Sequence, residues 1–300
     1  MGDPPTRPPR PRLFDAHCHL QSPALAPHLD GVLATAAAAG VIACAVNGTC
    51  ENDWPAVLDL AARAPAPLAL RPSLGIHPWR LGGVAPGWEG RLEAALVAHP
   101  GAGVGESGLD RAPKGLAAAT PAAQAAALAT HVDLALALHR PLSLHCVRAT
   151  GPLTDLLSAR APFPAGVVLH AWGGSPDATA RLARLGGVYF SVGARQLVAP
   201  PPRGEEGRAQ PVSAKARAML AAVPWGRLLI ETDAPDGWVP GVGAPVGGGG
   251  EGRLLPAAPP LNQPATLGRV VELVAEATGR EVGEVAAEVY AAAERVFGLG

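Results

Sequence analysis

Leu142-Ser143-Leu144-His145, then Gly151–Arg160, then Gly166-Val167-Val168-Leu169-His170 form the most telling stretch of the chain. Two short apolar runs, each ending in histidine, flank a longer segment with helical character. Strand, helix and strand in that order make a parallel pair joined by a crossover helix. The same alternation continues on both sides. Further strands are expected at Leu13–His17, Val41–Val46, Leu68–His77, Ala102–Glu106, Val188–Val192 and Arg227–Glu231. Helices are expected at Leu25–Ala39, Asp53–Ala64 (opened by an Asp cap with Pro55 in its first turn), Trp88–His99, Pro121–His139, Asp177–Leu185 and Ser213–Ala222. Thr266–Thr278 and Val282–Phe297 close the chain as two more. Eight strands alternating with helices in about 250 residues predict a (β/α)8 TIM barrel. A doubly wound sheet is the alternative, and it would leave fewer strands. No linker divides residues 13–300, which are expected to form one domain behind a Pro/Arg-rich arm at 1–12.

Composition narrows the possibilities. Of 300 residues, 48% are hydrophobic and 16% charged, enough apolar surface for a sizeable core. The net charge of −1 gives no global attraction to a polyanion, so any nucleic acid must be held by a local patch or by metal ions. Basic charge is almost entirely arginine, with lysine only at Lys114 and Lys215. Cys18, Cys44, Cys50 and Cys146 contain no CxxC pair and are expected to be reduced thiols in a cytoplasmic protein. No apolar run is long enough to span a membrane, and Met1–Arg12 lacks the apolar core of a secretory signal. Gly2 and Thr6 fit a myristoylation pattern, but a frayed arm is the better reading. Two Gly/Pro-rich segments, 199–212 and 236–260, follow the seventh and eighth strands and are placed on the C-terminal rim.

The polar residues converge on that rim. Strand side chains alternate, so His17 and His19 share a face as a chelating pair, and Asp15 shares their parity. Cys18 and Cys146 have the opposite parity and turn away. His77, Glu106, His145, His170, Glu231 and Asp233 each stand at the C-terminal end of an expected strand, where barrel active sites form. His17, His19, Glu106, His145, His170 and Asp233 are too many ligands for one open catalytic ion. Two divalent cations about 3.5–4 Å apart, sharing a carboxylate, are the economical solution. Mixed nitrogen and oxygen ligands suit zinc, manganese, iron or magnesium alike. Such pairs serve phosphoester or amide hydrolysis.

The ordered motifs Phe14-Asp15-Ala16-His17-Cys18-His19, Gly75-Ile76-His77-Pro78, Gly105-Glu106-Ser107-Gly108-Leu109-Asp110, His145-Cys146-Val147-Arg148, His170-Ala171-Trp172-Gly173-Gly174 and Glu231-Thr232-Asp233-Ala234-Pro235 resemble the TatD-type metal-dependent hydrolases. The resemblance spans roughly residues 13–299. Asn262-Gln263-Pro264 and Arg295-Val296-Phe297-Gly298 look like that family's C-terminal signatures. It implies that His17, His19 and Asp233 hold one metal, that Glu106 bridges, and that His145 and His170 complete the second. It also implies that Asp233 is the water-orienting base and that His77 and Arg148 face the substrate. Asp15 and Glu231 are expected to support the ligands from behind. The chain departs from the family pattern at His131, Trp172 and Ala292, none of them a presumed ligand.

The function expected is a metal-dependent phosphodiesterase or exonuclease-like deoxyribonuclease, with DNA or another phosphodiester as substrate and no protein or membrane partner. A dinuclear hydrolase of a small ester or amide, and a metal-binding barrel without activity, are the competing readings. Trp172 and Trp238 lie near the rim, where an indole can stack on a base, although packing is the commoner use.

Overall fold

The computed structural model describes residues 11–63, 68–202, 208–246 and 260–298. The arm at 1–10 and parts of both Gly/Pro-rich segments lie outside them. Eight strands are present: β1 Leu13–Cys18, β2 Val41–Asn47, β3 Ala69–Leu74, β4 Gly103–Asp110, β5 Leu142–Val147, β6 Val167–Leu169, β7 Val188–Val192 and β8 Leu228–Ile230. They pair in parallel in sequence order. Helices between them make this a (β/α)8 barrel, as the alternation predicts. The ring closes just beyond the strands. The Asp233 amide donates to the His17 carbonyl at 2.9 Å, and the His19 amide to the Ala234 carbonyl at 2.7 Å. The seam therefore lies where β1 and β8 deliver His17, His19 and Asp233.

Two apolar layers surround the sheet. Inside, Phe14, Ala16, Ala43, Ala45, Val168 and Leu229 pack together, and Phe14 stacks on Phe297 of the last helix at 4.6 Å. Outside, Leu13, Cys18, Cys44, Leu142 and Leu144 pack among the helices. This partition corrects one expectation from parity. A break in the β1–β2 register between Asp15 and Cys18 lets Ala16 and His17 both face inward. Asp15 is left outside, close to Cys18 and Cys44, and does not share the His17 face. Cys18 turns away as expected, its thiol donating to the Ala45 carbonyl at 3.3 Å.

Other boundaries shift for local reasons. Leu25–Ala39 divides into a 3-10 turn over Ala26–His28, where Pro27 has no N–H to donate, and a helix over Leu29–Ala38. Asp53 does not cap the helix Trp54–Arg63. Its carboxylate accepts from the amides of Thr49 and Cys50 and from the Thr49 hydroxyl, bracing the preceding loop. The fourth strand continues past Glu106 to Asp110. Two short helices, Pro113–Ala118 and Ala194–Leu197, were not read from the sequence. Among the described residues no helix is long and apolar enough to cross a membrane.

Candidate active site

Strands β1, β4 and β5, and the residues just after β1, β6 and β8, bring polar side chains to the C-terminal mouth. Glu106, 2% exposed, sits at the centre. Its two oxygens face different groups. Oε2 lies 3.3 Å from both His17 Nε2 and His19 Nε2. Oε1 lies 2.9 Å from His170 Nε2, 3.3 Å from His77 Nε2 and 3.4 Å from His145 Nδ1. Asp233 Oδ1 approaches His19 Nε2 at 3.7 Å, and Asp233 also groups with His17 and His170. All six expected ligands are thus brought together. His77 joins them more intimately than a residue that only faces substrate would. It does so from a loop, because β3 ends three residues earlier at Leu74.

Neighbouring groups orient the rings, leaving defined nitrogens toward Glu106. His19 Nδ1 donates to the Asn47 carbonyl at 2.8 Å, so Nε2 carries the lone pair of the neutral ring. His17 Nδ1 meets Ser143 Oγ at 3.0 Å. His77 Nδ1 accepts from the Trp79 amide at 3.1 Å. His145 Nε2 lies 3.2 Å from Asp110 Oδ2, which also accepts from Trp79 Nε1 at 2.7 Å. Carboxylate-backed imidazoles of this kind are typical supports of metal sites. Ser143 and Asp110 escaped the sequence reading, although a signal was present. Ser143 stands two residues before His145 on β5, and Asp110 stands four after Glu106 on β4, both in register with a ligand.

Asp15 and Glu231 both support the site, through different atoms. Asp15 Oδ1 accepts from the amides of Thr232 and His17, and Oδ2 accepts from the Thr232 hydroxyl, so it ties β8 to β1 rather than orienting a ring. Burial raises its carboxyl to about 7. Glu231 Oε1 accepts from the Ala171 amide at 2.7 Å and lies 3.5 Å from His170 Nδ1. Arg148 is exposed at φ 53° after β5 and is not among the residues lining the cavity over the cluster. That cavity, 470 Å³, is walled by Trp79, Arg80, Thr49, Asn52 and Asp236.

The electrostatics favour positive charge around Glu106. Burial alone pushes Glu106 upward, yet His77, His170 and His17 hold it ionised well below its usual range. Burial likewise disfavours charge on His170 and His19. Contact with Glu106 overrides it, raising His170 well above normal and His19 to about 9. His17 goes the other way, to about 4, through burial and the neighbouring His170. The metal-free cluster thus draws buried protons to the nitrogens around Glu106. Positive charge is wanted there, and divalent cations would supply it with the nitrogen and oxygen donors present.

Residues 14–298 match the TatD related DNase family. The chain belongs to that family. It is an enzyme of the TatD hydrolase type, in keeping with the motifs. The chain is 29% identical over 294 residues to the 3'-5' ssDNA/RNA exonuclease TatD of Erwinia tasmaniensis, covering 96% of this chain and 100% of that protein. It is 29% identical over 302 residues to an uncharacterized metal-dependent hydrolase TatD of Mycobacterium tuberculosis, covering 96% and 98% respectively. Among solved structures, the TatD homolog YjjV from Escherichia coli superimposes with a TM-score of 0.79 at 27% identity, covering 96% of this chain and 99% of that one.

The departures from the TatD pattern fall on packing. Trp172 is 2% exposed and its Nε1 donates to Thr179 Oγ1 at 2.9 Å, so it is not a stacking platform. Ala292 is buried in the inner layer. His131 is fully buried beside Trp88. Its Nδ1 donates to the Ala127 carbonyl at 2.7 Å, and its Nε2 accepts from the Ile76 amide at 3.0 Å, anchoring the segment that carries His77.

Two predictions arise here. Burial lowers the His131 pKa to about 4 from 6.5. The unfolded chain therefore takes up this proton first. The contribution is complete above pH 6.5 and is lost as pH falls toward 4, amounting to about 3 kcal/mol. His131→Gln, which keeps an acceptor for Ile76, is expected to flatten that part of the stability-versus-pH curve in urea titrations. An unchanged slope would show that His131 is not the group responsible. Second, Asp110→Ala removes the carboxylate that faces His145 Nε2 and so the group that orients the ring. Cation affinity, measured by chelator competition, is expected to fall roughly 10- to 100-fold with the fold intact. Undiminished affinity would reduce Asp110 to a packing role.

Proposed function

We propose that the protein is a phosphodiesterase that shortens single-stranded nucleic acid from an end, using a centre of two divalent cations. The observation that carries this reading is the division of the Glu106 carboxylate, one oxygen toward His17 and His19 and the other toward His77, His145 and His170. A carboxylate with ligands on both sides is suited to a bridge. On this reading His17, His19 and Asp233 hold one cation and His145 and His170 the other. His77 stands beside the second group as a ligand or substrate contact. Five imidazoles favour zinc, manganese or iron over magnesium, which prefers oxygen donors. When bound, such cations supply water activation and Lewis acidity toward a phosphoryl oxygen.

The chain's own groups account for the remaining work. Asp233 is 27% exposed in its side chain, and burial raises its carboxyl to about 6, so it is ionised at neutral pH and able to accept a proton from the attacking water. Arg80 and Trp79 wall the cavity where the phosphate and its neighbouring nucleotide would lie. The substrate class is supported by the relatives named as ssDNA/RNA exonucleases, with which this chain shares its whole barrel. Near-neutral charge fits a substrate gripped at one end rather than along a duplex.

The test combines metal analysis with hydrolysis of a 5′-labelled single-stranded deoxyoligonucleotide. About two ions per chain and stepwise shortening are expected. Asp233→Asn is expected to abolish shortening while the circular dichroism spectrum stays unchanged. Full activity in that variant would overturn its assignment. Two ions with turnover only of a small aryl phosphate diester would move the substrate to small esters. Absence of bound metal after reconstitution would refute the centre.

A further inference from the structure

A second cavity lies on the same end of the barrel, between the segments that follow β7 and β8. It measures 340 Å³, and its walls include Arg195, Arg208, Gln210, Trp238 and the prolines Pro200 and Pro201. None of these residues lines the cavity over the metal-ligand cluster. Arg195 is exposed on the short helix Ala194–Leu197 that leaves β7, and Trp238 stands five residues beyond Asp233. Five residues reach at most about 17 Å. The real separation is shorter, because the chain turns back at Gly237 (φ 77°), where a Cβ would lie 2.6 Å from the Thr232 carbonyl. Asn262 Nδ2 donates to that same carbonyl at 2.7 Å and pins the turn.

The indole of Trp238 is the telling group. Trp54, Trp79 and Trp172 each donate their Nε1–H to an acceptor within the chain. Trp238 Nε1 is buried and has no hydrogen-bond partner among the described residues. A buried donor without an acceptor costs stability, so its retention calls for an explanation. The Trp238 residue lines a cavity whose other walls are mostly valine, alanine and proline, together with Gln210 and two arginines. Apolar and aromatic walls suit a base, an indole N–H suits one of the base's ring or carbonyl acceptors, and guanidinium suits a phosphate. Arg208 already has an interaction within the chain, so Arg195 carries the phosphate contact.

We propose that this pocket is a nucleotide subsite for single-stranded substrate, in which Trp238 holds a base and Arg195 its phosphate while the strand end lies over the metal-ligand cluster. The proposal rests on the phosphodiesterase reading for its biological sense, but its binding test does not. The subsite lies off the reacting centre, so it acts on strand affinity and length preference rather than on bond cleavage.

Two measurements test it. In kinetics, Trp238→Ala is expected to raise KM for a hexadeoxynucleotide roughly ten- to hundredfold, while turnover of a small aryl phosphate diester changes less than about twofold. Trp238→Phe, which keeps a stacking ring, is expected to recover most of the loss. In equilibrium binding, a fluorescein-labelled hexadeoxynucleotide with a cleavage-resistant phosphorothioate backbone is titrated into the metal-loaded wild type and into metal-loaded Trp238→Ala and Arg195→Ala. Both variants are expected to bind at least about tenfold more weakly, with Arg195→Ala also lowering the salt slope by about one. Equal affinity in wild type and Trp238→Ala, or no binding by the wild type, overturns the subsite. Trp238-dependent binding by a protein that does not shorten DNA would uphold the subsite and refute the phosphodiesterase reading, so the two failures are distinct.

Discussion

Glu106→Ala is expected to empty the centre of cations and lower hydrolysis at least about 10³-fold, because it removes the carboxylate whose two oxygens face the two sets of histidines. Loss should reach both sites at once, unlike loss of a ligand that serves one side. The same substitution has a signature independent of turnover. His19 and His170 are held protonated chiefly by Glu106 against the opposing effect of burial. Without Glu106 their pKa values should fall, His19 from about 9 toward or below its ordinary value. Metal analysis, initial rates and a histidine NMR titration of the metal-free chain read these effects. Retention of near wild-type metal content would contradict the central placement of Glu106. An unmoved His19 titration would contradict the electrostatic account while leaving the ligand geometry standing.

Gly108→Ala is expected to destabilise the barrel by about 3 kcal/mol or more, lowering Tm by roughly 6 °C or more. Gly108 pairs with His145 across β4 and β5. A Cβ there would lie 2.0 Å from the His145 carbonyl oxygen, and its φ of 148° is one that side-chain-bearing residues rarely adopt. The obstruction is backbone, so no rotamer change relieves it. Any folded fraction should also bind cations poorly, since His145 must move with its strand. Gly90→Ala is the control. Gly90 lies in the helix Trp88–Ala98 with nothing within 4 Å of its Cβ position, and alanine there should stabilise by about 0.5–1 kcal/mol. A Gly108→Ala protein that melts with the wild type would show that β4 and β5 do not approach as described.

The barrel and the polar residues gathered at its mouth were legible because both are local signals. Leu142–His145, Val167–His170 and Leu228–Asp233 each announce a buried strand by apolar composition and its C-terminal end by the polar residue that follows. The supports were harder to read. Ser143 and Asp110 lie on the ligand face of their strands, but serine and aspartate at such positions gain meaning only when the ring they touch is known to be there. Arg148 was favoured by its place after His145, yet the chain takes a left-handed turn at Arg148 itself, and Arg80 stands on the cavity wall instead. His77 was expected to face substrate, and its loop brings Nε2 within 3.3 Å of Glu106.

By itself, the sequence determined the alternation of strand and helix, the strand order that follows from it, and the identity of the six groups converging at the C-terminal mouth. Hydrophobic patterning and chain connectivity act over a few residues to a few tens, so they are written in consecutive positions. Only the tertiary structure decided that Asp15 faces outward to tie Thr232 to β1, that Glu106 divides its oxygens between two sets of imidazoles, and that Trp238 and Arg195 line one cavity. These depend on a break in strand register, on ring orientations set by partners as distant as 126 residues, and on loops brought together by strands far apart in sequence.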